Sequence, residues 1–369
     1  MFELNPPQEA AVEHRGGPLL IEAGAGTGKT GTLAHRVAGL IRSGTPPARI
    51  CLLTFTRRAA QEMLARAGEL THPAAAAQVW GGTFHAVAHR VLRLHGRLIG
   101  LPPAFSVLDQ GDATEVLGLV RHDVLSVSPG GARRFPRPDT LAAIYGRVVC
   151  TAEPLADVVE RDFPWCRTEV AGIRDIFQGY TGRKRARHLL DFEDLLLMWR
   201  ALGACSPSLA SELWDHVLVD EYQDTNRIQI DILAGLRPGG TGLTAVGDAA
   251  QAIYAFRAAT AGNMAAFPSQ FPGTTVIRLE ENYRSIPPVL ACANAVMAAA
   301  PPPMGPVLWS RRAGAARPRL RLCEDEAVQA EAVCDSVLAH RDNGTLLQRQ
   351  AVLFRASHHA DALELALAR

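Results

Sequence analysis

The sequence has almost no net charge, no long apolar run and few cysteines. Its 38 Lys and Arg residues are balanced by 37 Asp and Glu, a formal charge of +1. Such a balance gives no overall attraction for nucleic acid, so any such surface must come from local clusters of Arg and Lys. No apolar run approaches the roughly 20 residues that span a bilayer, and the N-terminus lacks the apolar core of a signal peptide. These absences predict a cytoplasmic protein with no membrane partner.

The seven cysteines are scattered, with no Cys-x-x-Cys pair and no neighbouring His at metal-ligand spacing. This pattern is typical of free thiols in a reducing compartment, so we expect neither zinc nor disulfides.

The apolar pattern predicts an open α/β sheet in a chain long enough, at 369 residues, for two or three domains. Short apolar runs, each predicted to be a buried parallel strand, lie at residues 18–22, 50–55, 79–83, 216–221, 242–247 and 275–280. Helical patterns lie between several of them, at residues 30–42, 57–69, 84–98 and 226–236. This alternation is that of a doubly wound parallel sheet.

Two segments break the alternation. Residues from about 100 to 188 show helical patterns but no convincing core strand, which predicts an inserted helical subdomain. After a loop rich in Pro, Ala and Gly, only residues 319–323 and 350–354 are strand candidates, too few for a domain. The sequence stops inside a helical pattern begun near His358, without a Gly or Asn cap. We therefore expect a second domain that starts here and is cut short.

A phosphate-binding loop is predicted at AGAGTGKT, residues 23–30, between a predicted strand and a predicted helix. Small residues let backbone N–H groups surround phosphates, and the helix N-terminus adds partial positive charge. Lys29 would reach the β and γ phosphates, and the Thr30 hydroxyl would hold magnesium. The alternative is a Gly-rich turn that binds nothing. The predicted nucleotide-binding residues are Ala23, Gly24, Ala25, Gly26, Thr27, Gly28, Lys29 and Thr30.

A second motif, HVLVDEYQD at residues 216–224, is an apolar strand that ends in acidic residues. Asp220 would coordinate magnesium and Glu221 would act as general base toward the attacking water. Taken alone, such a pair is often a solvated turn. Together with the loop at residues 23–30 it indicates nucleoside triphosphate hydrolysis, which many unrelated proteins perform.

Further motifs follow in a fixed order: LNPPQEAAV at residues 4–12, CLLTFTRRAAQEM at 51–63, GGTFHAVAHRVLR at 81–93, LLDFEDLL at 189–196, LTAVGDAAQAIYAFRAA at 243–259, LEENYRS at 279–285 and AVLFRASHHADALELAL at 351–367. With these the chain resembles the UvrD/Rep/PcrA-type superfamily 1 DNA helicases over essentially its whole length. The resemblance implies a P-loop RecA-like open parallel sheet with a helical insertion and the start of a second RecA-like domain. The implied division is 1–98 and 189–282 for the first core domain, 99–188 for the insertion and 283–369 for the partial second domain.

The resemblance also implies roles for single residues. Gln8 would read the adenine edge, Tyr283 and Arg36 would sandwich the adenine ring, and Gln251 and Arg284 would contact the γ-phosphate beside Lys29 and Glu221. For the residues expected to face single-stranded DNA, packing in the core stays the alternative. These residues are Phe55, Thr56, Thr83, His85, Tyr254, Phe256 and Arg257.

Some features depart from the family's pattern. Residues 249, 250, 252, 255 and 258 are Ala where the family often has Asp, Ser or Gly, and nothing after residue 351 resembles the family's last two motifs. The basic tract RKRARH at residues 183–188 is open to two interpretations, a solvated face or a phosphate-contacting patch.

The function that the resemblance implies is an ATP-dependent DNA helicase or translocase with ATP and Mg²⁺ as cofactors. Its partners would be single-stranded or tailed duplex DNA, together with repair or recombination proteins. Two alternatives stay open: the motor part of a RecB/AddA-like helicase-nuclease, and an ATP-gated DNA-binding module that does not unwind.

Overall fold

The computed structural model describes residues 3–127, 135–254, 262–300 and 305–368. The chain divides into two compact units, Met1–Ala315 and Ala316–Arg369. The division predicted from the sequence, with boundaries after residues 98, 188 and 282, stays a prediction.

The first unit is built on a parallel sheet. The strands of the described residues are β1 Leu19–Ala23, β2 Ile50–Thr54, β3 Trp80–Thr83, β4 Ser106–Val107, β5 Leu189–Leu190, β6 His216–Val219, β7 Leu243–Gly247 and β8 Thr275–Leu279. Six of them form one sheet in the order β3-β2-β6-β7-β1-β8, and every neighbouring pair is parallel. The predicted open parallel α/β sheet and its six strands are confirmed.

The α-helices of the described residues lie between and after these strands. They are α1 Pro6–Glu13, α2 Lys29–Arg42, α3 Arg57–Leu70, α4 Pro73–Ala76, α5 Phe84–His95, α6 Gln110–Val127, α7 Pro138–Thr151, α8 Leu155–Asp162, α9 Val170–Ala186, α10 Phe192–Cys205, α11 Leu209–Leu213, α12 Arg227–Leu236, α13 Gly262–Gln270, α14 Pro287–Ala298, α15 Glu326–Asp342 and α16 Asp361–Leu367. Helices cover both faces of the sheet, so central strands such as β2 and β7 are buried along their whole length.

Side-chain caps fix where the helices next to the site begin. The Thr56 hydroxyl accepts a hydrogen bond from the Ala59 N–H at 3.1 Å, so α3 starts one residue later. The Thr83 hydroxyl does the same for α5, accepting from the Ala86 N–H at 3.3 Å. Because both caps directly follow strands, these two hydroxyls lie at the carboxyl edge of the sheet.

The segment between β4 and β5 is helical, as predicted, and has an apolar core of its own that α6, α7 and α9 supply. The sequence pattern missed one feature there. Residues Ser106 and Val107 form a short parallel pair with Leu189 and Leu190, which closes the base of the insertion. Two residues per strand are too few for an apolar pattern to reveal them.

The basic tract at residues 183–188 does not form one solvated face. Lys184 is 1% exposed, and its ammonium forms ion pairs with Asp191 and with Asp194, the latter at 2.6 Å. Arg183 pairs with Asp123 at 2.7 Å. The structure therefore corrects the interpretation for Lys184, which joins the end of α9 to the start of α10.

In the second unit the two predicted strands are wrong. Residues 319–323 and 350–354 carry no strand in the part of the chain that the structure describes. Leu320 and Leu322 alternate with arginines as in a strand, but they are 89% and 87% exposed and no described strand pairs with them. Alternation alone does not form a sheet, because each strand needs a hydrogen-bonded neighbour. The helix predicted near His358 is present as a 3-10 turn, Ser357–Ala360, followed by α16.

Among the residues described, no helix is at once long enough and apolar enough to cross a membrane.

Candidate nucleotide site and nucleic-acid face

The predicted phosphate loop connects β1 to α2 and contains two left-handed glycines. Gly26 has φ +75° and Gly28 has φ +85°, a region that residues with a Cβ rarely adopt. A Cβ on Gly24 would lie 2.4 Å from Leu308 Cδ2, so a larger residue at this position would require the Leu308 side chain to move. The loop therefore has the strand-loop-helix context and the backbone shape expected of a phosphate-binding loop.

The carbonyl groups of this loop are held from outside it. Three consecutive oxygens accept hydrogen bonds: Ala25 O from Asn282 Nδ2 at 2.5 Å, Gly26 O from Tyr283 N at 2.9 Å and Thr27 O from Gln8 Nε2 at 2.9 Å. These hydrogen bonds hold the backbone of the loop in a fixed shape, in which N–H groups that are not bound within the loop can bind an anion.

Lys29 and Glu221 meet across the site. The Lys29 Nζ lies 3.3 Å from Glu221 Oε2, and Glu221 also accepts a hydrogen bond from Gln223 Nε2 at 2.7 Å. Glu221 adopts φ +50°, a left-handed backbone that directs the chain sharply away from the end of β6. The structure thus brings together the two residues that the sequence predicts for phosphate binding and general base catalysis.

The other carboxylates beside Glu221 are short of positive charge. Burial, and then the charge of Glu221, raise the pKa of Asp220 to about 7. The same two causes raise the pKa of Asp224 to about 6, and its Oδ1 is buried without a hydrogen-bond partner among the described residues. A divalent cation would relieve this excess of negative charge, and carboxylate and hydroxyl oxygens are ligands that Mg²⁺ accepts. Asp220, directly after β6, and Thr30, in the first turn of α2, are the residues that could hold such an ion.

Gln251 is linked to this centre by hydrogen bonds. Its Nε2 donates to Asp248 Oδ2 at 2.6 Å, and the Asp248 backbone N–H donates to Gln223 Oε1 at 3.0 Å. Since Gln223 also donates to Glu221, a continuous chain of contacts runs from Lys29 to Gln251.

The predicted base-contacting residues behave differently from one another. Gln8 is fully buried, with Nε2 on the loop and Oε1 accepting from the Asn5 N–H at 3.0 Å, so its amide braces the loop and caps α1. The Tyr283 hydroxyl accepts from Asn5 Nδ2 at 2.9 Å and donates to Glu281 at 3.1 Å. Gln8 thus contacts the loop through its side chain and Tyr283 through its backbone N–H, and the contacts of both residues with adenine stay predictions.

Arg36 is not placed as the sequence analysis expects. It is 3% exposed, and its guanidinium donates to the carbonyl oxygens of Ala11 at 2.7 Å and His14 at 3.0 Å and to the Thr244 hydroxyl at 2.9 Å. These contacts tie α1 to α2 and β7 and leave no open face for a base. The contacts of Arg36 therefore do not support its predicted place in an adenine sandwich.

Arg284 follows directly from the residues that hold the loop. Its backbone N–H donates to Asn282 Oδ1 at 2.9 Å, and a Cβ on Gly26 would lie 2.8 Å from the Arg284 Cβ. The start of the Arg284 side chain is therefore in close contact with the phosphate loop.

The predicted nucleic-acid residues lie at the same edge of the sheet. Phe55 and Tyr254 have ring centroids 4.6 Å apart, and Thr56 is exposed beside them. Thr83 caps α5, and the ring of His85 meets Phe192 edge-on at 5.7 Å. Phe256 and Arg257 lie outside the described residues.

A cleft of about 690 Å³ joins these two regions. Its lining includes Phe55, Thr83 and His85 as well as Asp220, Glu221 and Asp224. The arrangement places aromatic side chains and an acid-base centre on one continuous surface of the first unit.

Sequence reasoning missed four residues that the structure brings into the site. Asn282 donates a hydrogen bond to the loop, and Asn5 donates one to the Tyr283 hydroxyl. Gln223 donates to Glu221, and the ring of Phe192 packs on His85. The motif LEENYRS contained Asn282, and Asn5 before two prolines is a helix N-cap signal that could have been found. The quoted motifs HVLVDEYQD and LLDFEDLL contain Gln223 and Phe192, but nothing in either pattern indicated the contact that each side chain makes.

Comparison with known proteins gives the family. The model of the UvrD/REP helicase N-terminal domain matches residues 4–272, and that of the UvrD-like helicase C-terminal domain matches residues 277–369.

Individual relatives agree with this match. The ATP-dependent DNA helicase UvrD1 of Mycobacterium tuberculosis is 34% identical, covering 99% of this chain and 48% of the relative. DNA helicase II of Escherichia coli is 33% identical, with 99% and 50% covered. The ATP-dependent DNA helicase PcrA of Staphylococcus aureus is 30% identical, with 98% and 49% covered. The chain thus spans about half the length of the curated relatives it matches. On these matches, together with the loop and carboxylate motifs described above, the chain belongs to the UvrD/REP helicase family.

Proposed function

We propose that this chain is the nucleotide-hydrolysing motor part of an ATP-dependent DNA helicase or translocase. The observation that carries the proposal is the meeting of Lys29 and Glu221 at 3.3 Å, between a phosphate loop and the end of a central strand. The relatives named as ATP-dependent DNA helicases support the same activity.

In this proposal the loop N–H groups and Lys29 bind the ATP phosphates, and Thr30 and Asp220 hold Mg²⁺, which neutralises phosphate charge when bound. Glu221 accepts the proton of the attacking water. Because Lys29 pairs with Glu221 in the structure, phosphate binding would compete for Lys29 and release the base. Arg284 and Gln251 contact the γ-phosphate.

Single-stranded DNA is the proposed partner, with Phe55 and Tyr254 as a stacking surface. Aromatic rings stack on any base, so such a surface binds without reading sequence. The chain of contacts from Glu221 through Gln223 and Asp248 ends at Gln251, three positions before Tyr254. That path gives the nucleotide a direct means of acting on the DNA face. Thr56, Thr83 and His85 extend the proposed surface.

The helicase or translocase is favoured over the two alternatives. A helicase-nuclease motor would share this site, but the relatives reported above are named as DNA helicases. A DNA-binding module without turnover would not need a general base paired with the phosphate-binding Lys. A cytoplasmic location and repair or recombination partners stay predictions.

The experiment that tests the proposal measures ATP hydrolysis by this chain with and without oligo-dT. The wild type should hydrolyse ATP faster when oligo-dT is present, and Lys29→Ala should lose nucleotide binding and turnover while keeping its unfolding midpoint. Arg42→Ala is the matched control, since it removes an exposed cation from the other end of the same helix. Hydrolysis by Lys29→Ala at the wild-type rate, or no effect of oligo-dT on the wild type, would contradict the proposal.

A further inference from the structure

Asn282 has one amide that serves two segments. It is 2% exposed, and its Nδ2 donates to the phosphate-loop oxygen of Ala25 at 2.5 Å. Its Oδ1 accepts from the backbone N–H groups of Arg284 at 2.9 Å and Ser285 at 2.7 Å. Both acceptor directions of the amide oxygen are occupied, and the carboxamide donates through its NH₂ group at the same time.

The packing around this amide leaves little freedom. A Cβ on Gly26 would lie 2.7 Å from Asn282 Nδ2 and 2.8 Å from the Arg284 Cβ, so the two segments touch directly. The Asn282 backbone N–H also donates to the Trp309 oxygen at 2.7 Å. The backbone that carries Arg284 is therefore fixed to the loop in two ways. The Asn282 side chain accepts from residues 284 and 285 and donates to Ala25, and the Tyr283 N–H donates directly to the Gly26 oxygen at 2.9 Å.

We propose that Asn282 is a positioning residue that sets Arg284 relative to the phosphate loop and so determines the preference of the site for ATP over ADP. The inference rests on the proposed function, in which the loop binds the phosphates common to both nucleotides and Arg284 reaches only the γ-phosphate. A misplaced loop would weaken the binding of both ATP and ADP, whereas a misplaced Arg284 would weaken the binding of ATP alone. Asn282 contacts both the phosphate loop and the segment that carries Arg284. The ratio of the ATP and ADP affinities therefore measures its effect on the relative position of the two.

The informative substitution is Asn282→Asp. The carboxylate keeps the acceptors for the Arg284 and Ser285 N–H groups but presents an oxygen to the Ala25 carbonyl, which replaces a hydrogen bond by repulsion. Asn263→Asp is the matched control, because Asn263 is also buried and donates to a backbone carbonyl, that of Thr225 at 2.6 Å. Asn282→Ser, which retains a hydroxyl donor, is the second variant if the first does not fold.

The experiment measures the dissociation constants of Mg-ATP and Mg-ADP by calorimetry on the full chain, with the unfolding midpoint of each variant recorded. Asn282→Asp should lower the ratio of ATP to ADP affinity about tenfold, as the loss of one charge-assisted contact to the γ-phosphate would. Arg284→Ala should lower it equally, and the double variant should show no further loss, because Asn282 acts through Arg284.

Three results would overturn the inference. One is a ratio that Asn282→Asp or Asn282→Ser leaves unchanged, and another is a double variant whose loss is the sum of the single losses. The third is a ratio that falls as far in Asn263→Asp as in Asn282→Asp, which would make the effect one of general stability. Failure of the wild type to bind either nucleotide would overturn the proposed function as well, so the two failures are distinguishable.

Discussion

Replacing Lys184 with Met should destabilise the first unit by about 3–5 kcal/mol, the usual cost of removing one partner from a buried ion pair. The Lys184 side chain is 2% exposed and the carboxylates of Asp191 and Asp194 are 3% and 7% exposed, so water cannot replace the lost ammonium. Met has nearly the same volume, so the cost is electrostatic and not that of a cavity. The Tyr180 hydroxyl, which donates to Asp191 at 2.7 Å, remains as a partial compensation.

The stability that Lys184→Met loses relative to the wild type should increase with pH. Burial, and then the charge of Asp191, raise the pKa of Asp194 above its ordinary value. A raised pKa in the folded state means that the associated stability is fully present below about pH 4 and is lost as pH rises through the folded pKa. Lys184 lowers that pKa, so its removal raises the pKa further. The deficit of Lys184→Met relative to the wild type should therefore be larger at pH 8 than at pH 5.

Urea unfolding followed by tryptophan fluorescence measures this deficit, since Trp199 lies in α10, the helix that Asp191 caps. Arg185→Met is the matched control: Arg185 is exposed one position away, and its replacement should cost no more than about 0.5 kcal/mol. Adding Asp194→Asn to Lys184→Met should recover stability, because the amide still accepts the Asp191 N–H without the charge. A Lys184→Met variant as stable as the wild type at pH 8, or a deficit relative to the wild type that is larger at pH 5 than at pH 8, would refute the reasoning.

Three further predictions concern the site. Gln8→Ala should weaken ATP binding more than GTP binding, by roughly 1–3 kcal/mol in calorimetry, if the amide reads adenine. An equal loss of affinity for both nucleotides would mean that Gln8 acts only through its contact with Thr27. Phe55→Ala should weaken oligonucleotide binding by roughly 1–3 kcal/mol with little dependence on sequence, measured by fluorescence anisotropy, because its ring packs on Tyr254. Arg36→Met should lower the free energy of unfolding by at least about 1–3 kcal/mol, since buried carbonyls lose their donors, without changing the preference for ATP over GTP. If Arg36→Met instead shifted the preference for ATP over GTP and kept the stability of the wild type, the result would support the predicted contact of Arg36 with the base.

The central strands and the loop could be predicted because their causes are local. Buried parallel strands are apolar on both faces, so β2 and β7 appear as continuous apolar runs, and left-handed turns need glycine, so the loop after β1 shows Gly26 and Gly28. The strands predicted at residues 319–323 and 350–354 failed for the opposite reason. Their alternation is local, but strand formation depends on a neighbour that the pattern does not contain.

The sequence by itself determined the residue types and their places at strand ends: Lys29 after β1 and the acidic pair Asp220 and Glu221 after β6. Parallel strands end at one edge of a sheet, so these groups had to lie at the same edge. They meet because only β7 separates β6 from β1 in the strand order. Arg36 and Lys184 look like surface cations in the sequence, and only packing showed that each is buried and holds two elements together.

The tertiary structure alone decided what surrounds the loop. In the register of the sheet, Ala23 at the end of β1 lies beside Leu279 at the end of β8. The segments that follow these two strands therefore leave the sheet next to each other. That adjacency carries Asn282 onto the carbonyl of Ala25, across a separation of 257 residues. Spacing along the chain contains no trace of such a contact, because it depends on which strand lies next to which, and that order is set by the burial of the whole sheet.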